Sequence, residues 1–201
     1  MSSAIEFYFD FSSPYSYIAS ERIEALAART ARPLQWRPIL LGVVFKASGG
    51  APLTEVYGPK ARYAIRDFAR AAAFAGLPYR HPTTFPIGAV AASRAVLWLQ
   101  REHSPHAVPY IHAAFRALFV HDRNIGDATV ALDIAQSLGI DKARLAAGVQ
   151  EESIKNALRE QVEQAIARGV FGAPTIFVDG EMFWGHDRLE QVERWITHGP
   201  F

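Results

Sequence analysis

The order of the predicted strands and helices constrains the fold of this chain more than any other feature of its sequence. Residues 4–10 alternate apolar with polar side chains, as a half-buried strand does. Residues 14–30 predict a helix, because Pro14 suits a first helical turn and Ser13 suits the N-cap before it. Residues 34–37 predict a second strand, so the chain opens with a strand–helix–strand unit.

The end of the chain predicts a second unit that contains strands. Residues 151–168 have the spacing of a helix. Residues 173–183 predict two short strands, and the Asp-Gly pair between them is a strong signal for a tight hairpin. Residues 186–197 predict a last helix with apolar side chains on one face. The order here is therefore helix, strand, strand, helix.

The middle of the chain has a different character. Residues 60–150 are rich in alanine and have helical spacing, with Gly76 and Gly139 at positions that fit helix ends. This order of elements predicts an α/β fold of the thioredoxin-like type, formed by residues 1–59 and 151–201. The all-helical segment between them would be an insertion domain.

Composition limits the classes of function. The chain has 201 residues, half of them hydrophobic, which suits one domain with a large insertion. Lys and Arg number 21 against 20 Asp and Glu, and this balance argues against a nucleic-acid partner. No apolar run reaches the roughly 18 residues of a membrane span, and no signal peptide is visible. We therefore expect a cytoplasmic protein without a membrane partner.

The chain has no cysteine, which excludes disulfides, thiolate metal ligands and a cysteine nucleophile. It also excludes a disulfide oxidoreductase, since thiol–disulfide exchange needs at least one protein cysteine. The 7 histidines are scattered, so no metal site is predicted. Yet the segment Ser13-Pro14-Tyr15-Ser16 occupies a strand-to-helix turn, where many thiol enzymes carry Cys-x-x-Cys.

The start of the first predicted helix is suited to an anion. Its free N–H groups and the positive end of the helix dipole would stabilise a thiolate. Because the protein supplies no sulfur, the thiol would arrive on a ligand. The Ser13 hydroxyl would then donate a hydrogen bond to it, contributing about 1.5–3 kcal/mol. Alternatively, Ser13 serves only as the N-cap of the helix.

Two segments near the end of the chain complete a candidate site. In thioredoxin-type folds a proline at the position of Pro174 is usually cis and faces the active-site turn, so that the Ala173 backbone can pair with an extended peptide. Alternatively, Pro174 simply starts a strand. His186 and Asp187 begin the last predicted helix, whose first amides would bind a carboxylate while Asp187 holds an ammonium. Asp187 could instead only cap that helix. A ligand with a thiol, a peptide backbone and a free amino-acid end is glutathione.

Three segments carry a resemblance to a known family: FDFSSPYSY, PILLGVVFKASG and RGVFGAPTIFVDGEMFWGHDRLEQV. They resemble the 2-hydroxychromene-2-carboxylate isomerases, which belong with the kappa-class glutathione transferases and the DsbA-like oxidoreductases. The resemblance covers nearly the whole chain and implies a fold of that type, glutathione as cofactor and a homodimer. It implies that Ser13 lies near the glutathione sulfur and that Ala173 precedes a cis Pro174. It further implies that Asp187, with His186 beside it, holds the γ-glutamyl end.

The activity that the resemblance implies is the glutathione-dependent conversion of 2-hydroxychromene-2-carboxylate to trans-o-hydroxybenzylidenepyruvate, a step in the breakdown of aromatic hydrocarbons. A thiolate adds to the conjugated double bond of the opened substrate, rotation follows, and expulsion of the thiolate restores the bond in the trans geometry. Lys46 is a candidate partner for the substrate carboxylate, or else a solvated surface lysine. Tyr15 and Asn124 are further candidate contacts of this small aromatic substrate.

Two departures from the family pattern bear on the substrate. Relatives often carry Asn-Lys in the loop that here reads Ser-Gly-Gly-Ala, so the side chain expected at Gly50 is missing. Relatives also often carry Asn shortly after a Phe-Pro pair, where this chain has residues 87–89, Ile-Gly-Ala. Two alternatives therefore stay open. One is a kappa-like glutathione transferase or a glutathione-dependent isomerase that acts on another electrophile, and the other is a non-catalytic thioredoxin-fold binding module.

Overall fold

The computed structural model describes residues 3–55 and 58–201, which form four strands, nine α-helices and one short 3₁₀ turn. The strands are β1 (Ile5–Phe9), β2 (Leu34–Pro38), β3 (Thr175–Val178) and β4 (Glu181–Trp184). The helices are α1 (Pro14–Arg29), α2 (Leu41–Ser48), α3 (Gly58–Phe74), α4 (Val90–Arg101), α5 (Ala107–Phe119), α6 (Ala128–Ser137), α7 (Lys142–Gly148), α8 (Glu152–Ala167) and α9 (Leu189–His198). The 3₁₀ turn spans His186–Arg188. None of the helices in these ranges is both long and apolar enough to cross a membrane.

The four strands form one mixed sheet in the order β2-β1-β3-β4. Strand β1 is parallel to β2, with Phe7 opposite Trp36, and antiparallel to β3. Strands β3 and β4 form a hairpin whose turn residues, Asp179 and Gly180, have φ angles of 51° and 88°. Positive φ at both positions is what a tight two-residue hairpin turn requires. The predicted thioredoxin-like fold with many helices is confirmed.

Both faces of β1 are covered, which makes it the central strand of the core. Phe7 and Phe9 face the helix α5 side, where the rings of Phe9 and Phe115 have centroids 5.7 Å apart. Tyr8 faces the other side, where its ring lies edge-on to that of Phe177 at 5.7 Å in a second apolar cluster that includes Leu158 of α8. Each aromatic ring buried in this way stabilises the fold by about 1.5–3 kcal/mol. The strand pattern predicts that only one face is apolar, whereas Tyr8 is buried as well.

Two details of the helices differ from the sequence prediction. Helix α2 is not predicted, because its N-cap residue Leu40 makes no side-chain capping bond and so gives no local signal. The last helix begins at Leu189 and is preceded by the 3₁₀ turn, so His186 and Asp187 do not lie in its first α-helical turn. The apolar cluster that contains Phe9 also contains side chains of α4, α5 and α6. The division of the chain at residues 60 and 150 stays a prediction.

Candidate active site

Ser13 joins the start of α1 to the segment that precedes β3. Its Oγ accepts a hydrogen bond from the Ser16 N–H at 3.1 Å and donates one to the Ala173 carbonyl at 2.9 Å. Its side chain is 5% exposed, and the Ala173–Pro174 peptide bond is cis. The structure thus brings Ser13, Ala173 and Pro174 together, and Ser13 also acts as the N-cap of α1.

The first turn of α1 has donors for a ligand. The Ser13 N–H donates to the Asp10 carbonyl at 3.0 Å, and Pro14 has no N–H. The Ser16 N–H donates to the Ser13 hydroxyl. The Tyr15 N–H is therefore the donor of this turn that has no acceptor within the helix. The Ser16 Oγ is fully buried and has no hydrogen-bond partner among the residues that the structure describes. An orphaned buried hydroxyl next to a free helix N–H fits a polar ligand atom at this turn.

A buried carboxylate lies beneath the turn. Asp10 is 5% exposed, and its Oδ1 accepts from the Ser12 N–H at 2.6 Å while its Oδ2 accepts from the Leu41 N–H at 2.5 Å. Burial raises the pKa of the Asp10 carboxyl, and the two backbone donors act against that rise. Leu41 is the first residue of α2, so Asp10 supplies the cap that Leu40 cannot. The active-site turn and α2 are therefore fixed to one another.

Tyr15 connects the site to helix α3 of the predicted insertion. Its hydroxyl donates to Asp67 Oδ2 at 2.5 Å, and its ring stacks on that of His186 with centroids 4.7 Å apart. Phe68 meets the same ring edge-on at 5.0 Å. Burial and the Asp67 hydrogen bond raise the pKa of the Tyr15 phenol, which therefore stays a neutral donor.

The 3₁₀ turn places His186 and Asp187 next to Tyr15. The Gly185 N–H donates to the Pro174 carbonyl at 3.0 Å, which ties this turn to the cis proline. Burial lowers the pKa of the His186 imidazole, and the nearby Asp187 partly opposes that effect. The Asp187 side chain is 56% exposed and lies 3.2 Å from the Arg188 guanidinium. Asp187 is not the N-cap of this turn, which is Gly185, nor that of α9, which is Arg188.

In the described part of the chain, neither of the other two candidate substrate contacts, Lys46 and Asn124, is hydrogen-bonded to Ser13. Lys46 is exposed in the last turn of α2, where none of the described carboxylates pairs with it. The Asn124 carboxamide accepts the N–H of Gly126 at 3.0 Å within its own turn. A Cβ at Gly126 would lie 3.5 Å from the Gly88 carbonyl, so this turn packs against the segment that departs from the family pattern. The substrate contacts of Lys46 and Asn124 stay predictions.

Sequence reasoning missed two polar residues that fix the site. The strand pattern treats Asp10 as one more outward polar residue. A carboxylate directly before the turn is nevertheless a signal that could have predicted a hydrogen bond to the turn. Asp67 gives no signal of its own, because it lies on a helix with many exposed polar side chains. Among residues 3–55 and 58–201, no group of three or more His, Asp or Glu side chains is arranged to hold a metal ion.

The sheet, the cis proline and the capped turn define a protein of the thioredoxin class, with hydroxyl side chains where thiol enzymes carry sulfur. The sequence profile of the DSBA-like thioredoxin domain matches residues 4–197. The chain is 32% identical over 197 residues to the 2-hydroxychromene-2-carboxylate isomerase of Sphingobium xenophagum, covering 98% of this chain and 99% of that one. This chain belongs to the DSBA-like thioredoxin family and, within it, to the family of the 2-hydroxychromene-2-carboxylate isomerases.

Two further proteins are similar over most of their length. The solved structure of a 2-hydroxychromene-2-carboxylate isomerase superimposes with a TM-score of 0.83 at 28% identity, covering 94% of this chain and 92% of that one. Glutathione S-transferase kappa 1 of Rattus norvegicus is 26% identical over 213 residues, covering 98% of this chain and 94% of the relative. These similarities confirm the predicted family and fold and agree with the prediction of an isomerase.

Proposed function

We propose that this protein is a glutathione-dependent isomerase that interconverts 2-hydroxychromene-2-carboxylate and trans-o-hydroxybenzylidenepyruvate. The observation that carries the proposal is the position of Ser13 at the start of α1, against the Ala173–Pro174 backbone, in a chain without cysteine. Relatives named for this isomerase activity, similar over nearly the whole chain, support the reaction. The name of the kappa-class relative supports glutathione as the source of the thiol.

Bound glutathione would supply the thiolate that adds to the substrate double bond and leaves after rotation. The residues of the chain would hold that sulfur ionised. The Ser13 hydroxyl has one proton, so it must turn from the Ala173 carbonyl to the sulfur. It exchanges a neutral hydrogen bond of about 0.5–1.5 kcal/mol for one to a charged acceptor of about 1.5–3 kcal/mol. The exchange is therefore favourable by about 1 kcal/mol, and the positive end of α1 adds to it.

The remaining candidate residues would orient the two molecules. The Ala173 backbone would pair with the extended peptide of glutathione, as an added strand pairs with a sheet edge. Tyr15, with Phe68 behind it, would offer an aromatic wall to the substrate ring. Lys46 would attract the substrate carboxylate, and Asn124 would be a further contact of the substrate.

The test is an absorbance assay of 2-hydroxychromene-2-carboxylate with and without glutathione. Two variants distinguish the catalytic role of Ser13 from its role as the N-cap. Ser13→Ala removes the cap and should lower the stability by about 0.5–2 kcal/mol, whereas Ser13→Gly should lower it by only a few tenths of a kcal/mol. We expect turnover to require glutathione and to fall at least about tenfold, roughly 1.4 kcal/mol, in both. Ser48→Ala, at an exposed serine, is the matched control. Full activity of Ser13→Gly would show that Ser13 has no part in the mechanism. Turnover without glutathione would show that glutathione is not the cofactor.

A second candidate function is a kappa-like glutathione transferase that acts on another electrophile. The observation that favours it is Gly50, where an added Cβ would lie 2.9 Å from the Phe45 ring, so a side chain like that of the relatives would require this ring to shift. An isomerase returns glutathione unchanged, whereas a transferase yields a stable conjugate. Mass spectrometry after incubation with an aryl halide and glutathione distinguishes the two. Glutathione binding without either product would favour the non-catalytic binding module.

We also propose that the protein acts as a homodimer in the cytoplasm, in the catabolism of aromatic hydrocarbons. Cytoplasmic location suits the cofactor, because glutathione is kept largely as the free thiol in a reducing compartment. Sedimentation equilibrium across a range of concentrations tests the dimer, since a mass of one chain at every concentration would contradict it. Fractionation of cells that express the protein tests the location.

A further inference from the structure

Helix α3 carries much of the positive charge of the chain on one exposed element. It contains four basic residues, Lys60, Arg62, Arg66 and Arg70, and a single acidic residue, Asp67. With four positive charges against one negative, the helix has a clear excess of positive charge, although the net charge of the whole chain is only +1. The basic residues are therefore concentrated here while acidic residues predominate elsewhere.

Three of these cations form a row along the outward face of α3. Arg62, Arg66 and Arg70 are spaced by four residues, so each lies about 6 Å further along the helix axis than the one before it. In the described part of the chain, no carboxylate lies within ion-pair distance of Arg62 or Arg66, whereas Arg70 is paired with Asp67 at 2.8 Å. The opposite face of the helix is the buried one, and it consists of Ala64, Phe68 and Ala72.

The arginine row is unfavourable for α3 itself. Like charges four residues apart destabilise a helix, and Lys60 in the first turn is repelled by the positive end of the helix dipole. The first turn has no acidic residue and the last turn has no basic residue, so neither end is adapted to the dipole. This arrangement suits an anionic partner, which would neutralise the row and remove the repulsion.

Exposed aromatic side chains lie beside the arginine row. Phe74 is 97% exposed and Tyr63 is 61% exposed. The two residues are 11 positions apart, which is close to three helical turns, so both lie on the same side of the row. Arginine next to exposed aromatic rings on a convex helix matches the headgroup layer of an anionic bilayer, where rings lie at the interface and cations meet phosphates.

We propose that α3 is a docking surface for an anionic lipid bilayer, with Arg62 and Arg66 at the phosphate groups and Phe74 inserted among the headgroups. The sequence expectation of no membrane partner rests on the lack of a spanning segment, which binding at the surface does not need. Because Asp67 of the same helix is bonded to Tyr15, docking would bring the active-site turn close to the bilayer. The inference goes beyond the proposed function and does not depend on it.

The test is co-sedimentation of the full chain with vesicles of phosphatidylcholine alone, or with about a quarter phosphatidylglycerol. We expect binding to the anionic vesicles to be at least about tenfold tighter, and weaker in about 0.5 M salt than in about 0.05 M, because salt screens the attraction. Arg62→Gln/Arg66→Gln should weaken it at least about tenfold. Phe74→Ser should weaken it at both salt concentrations, since apolar insertion is not screened. The matched control is Arg159→Gln/Arg194→Gln, which removes the same charge from exposed positions on α8 and α9.

An equal loss of binding in both arginine pairs would overturn the inference, because the effect would then reflect net charge and not α3. Equal binding to both kinds of vesicle, or no binding to either, would overturn it as well. A mass that falls in sedimentation equilibrium in Arg62→Gln/Arg66→Gln, without vesicle binding by the wild type, would assign the row to contacts between copies of the chain. All of these results leave the proposed function standing, because the assay needs neither glutathione nor turnover. Circular dichroism and Tm establish that the variants are folded.

Discussion

The Ser13 hydroxyl donates a hydrogen bond to the Ala173 carbonyl across 2.9 Å, and this bond joins residues 160 positions apart in sequence. It links the start of α1 in the N-terminal part of the thioredoxin unit to the segment before β3 in the C-terminal part. A bound thiolate would need the same hydroxyl proton, so Ser13 would have to give up its bond to Ala173 to reach the sulfur.

The position of Ser13 predicts where a ligand sulfur lies. In Ser13→Cys the new thiol would sit at the N-terminus of α1, where cysteine pKa values fall. Its thiolate should attack oxidised glutathione, forming a mixed disulfide and releasing one glutathione thiolate. Because the chain has no other cysteine, intact-protein mass spectrometry counts the adduct without background.

The matched control is Ser48→Cys, at the exposed C-terminal end of α2, where the helix dipole disfavours a thiolate. We expect Ser13→Cys to react at least about threefold faster at neutral pH, because a pKa lower by about one unit raises the thiolate fraction by more than it lowers the nucleophilicity of the thiolate. Equal rates at the two positions would mean that the turn neither activates the thiol nor gathers glutathione.

The buried Asp10 carboxylate predicts a large effect of a small substitution. Asparagine has a single acceptor oxygen, so Asp10→Asn would leave either the Ser12 or the Leu41 N–H facing an amide group. An unsatisfied buried donor costs about 1–3 kcal/mol, or about 2–4 °C in Tm for each kcal/mol in a chain of this size. Urea unfolding measures the loss, and faster hydrogen exchange at Leu41 locates it. Asp127→Asn, at the exposed N-cap of α6, should stay within about 0.5 kcal/mol, because both residues cap helices well.

The Tyr15–Asp67 hydrogen bond predicts energetic coupling between α1 and α3. We expect a double-mutant cycle with Tyr15→Phe and Asp67→Ala, measured by the free energy of unfolding, to give a coupling energy of about 1 kcal/mol. Tyr15→Phe keeps the ring that stacks on His186, so the loss of stability in this variant reflects the hydroxyl alone. The control is Arg70→Ala, which removes the solvent-exposed partner of Asp67 and should cost less than about 0.5 kcal/mol. Strict additivity in the cycle would show that α3 is held by apolar packing only.

These contacts also explain how far the sequence could predict the site. The sequence could predict Ser13, Pro174 and the hairpin, because each lies in a local pattern that specifies a turn or a helix start. The contact of Tyr15 with Asp67 was not, since it joins residues 52 positions apart and nothing in α3 singles out one carboxylate. Helix α2 was missed for a related reason: its cap comes from Asp10, 31 positions earlier. The chemistry of the turn is local, but the bonds that fix its position depend on the tertiary fold.

A cluster of charges between α1 and α5 predicts how stability depends on pH. His112 lies 2.6 Å from Glu24 through Nε2 and 3.4 Å from Glu21 through Nδ1, and Arg116 binds Glu21 at 2.7 Å. Burial acts to raise the pKa of Glu21, but the ion pair with His112 and the hydrogen bonds from Arg116 outweigh it and lower the pKa from 4.5 to about 2. Burial acts to lower the pKa of His112, but the two carboxylates outweigh it and raise the pKa above 6.5.

The two shifts have opposite consequences. Since the folded chain holds the His112 proton more tightly than the unfolded chain, this stabilisation is complete below pH 6.5 and is lost as the pH rises through the folded pKa. The Glu21 stabilisation is present above pH 4.5 and is lost as the pH falls toward 2. We expect His112→Gln to be less stable than wild type by on the order of 1 kcal/mol near pH 5.5, with the difference shrinking toward alkaline pH. Urea unfolding at a series of pH values measures this, with His121→Gln, at an exposed histidine, as the control. A difference that stays constant with pH would mean that His112 acts by packing against Trp36 and not by its charge.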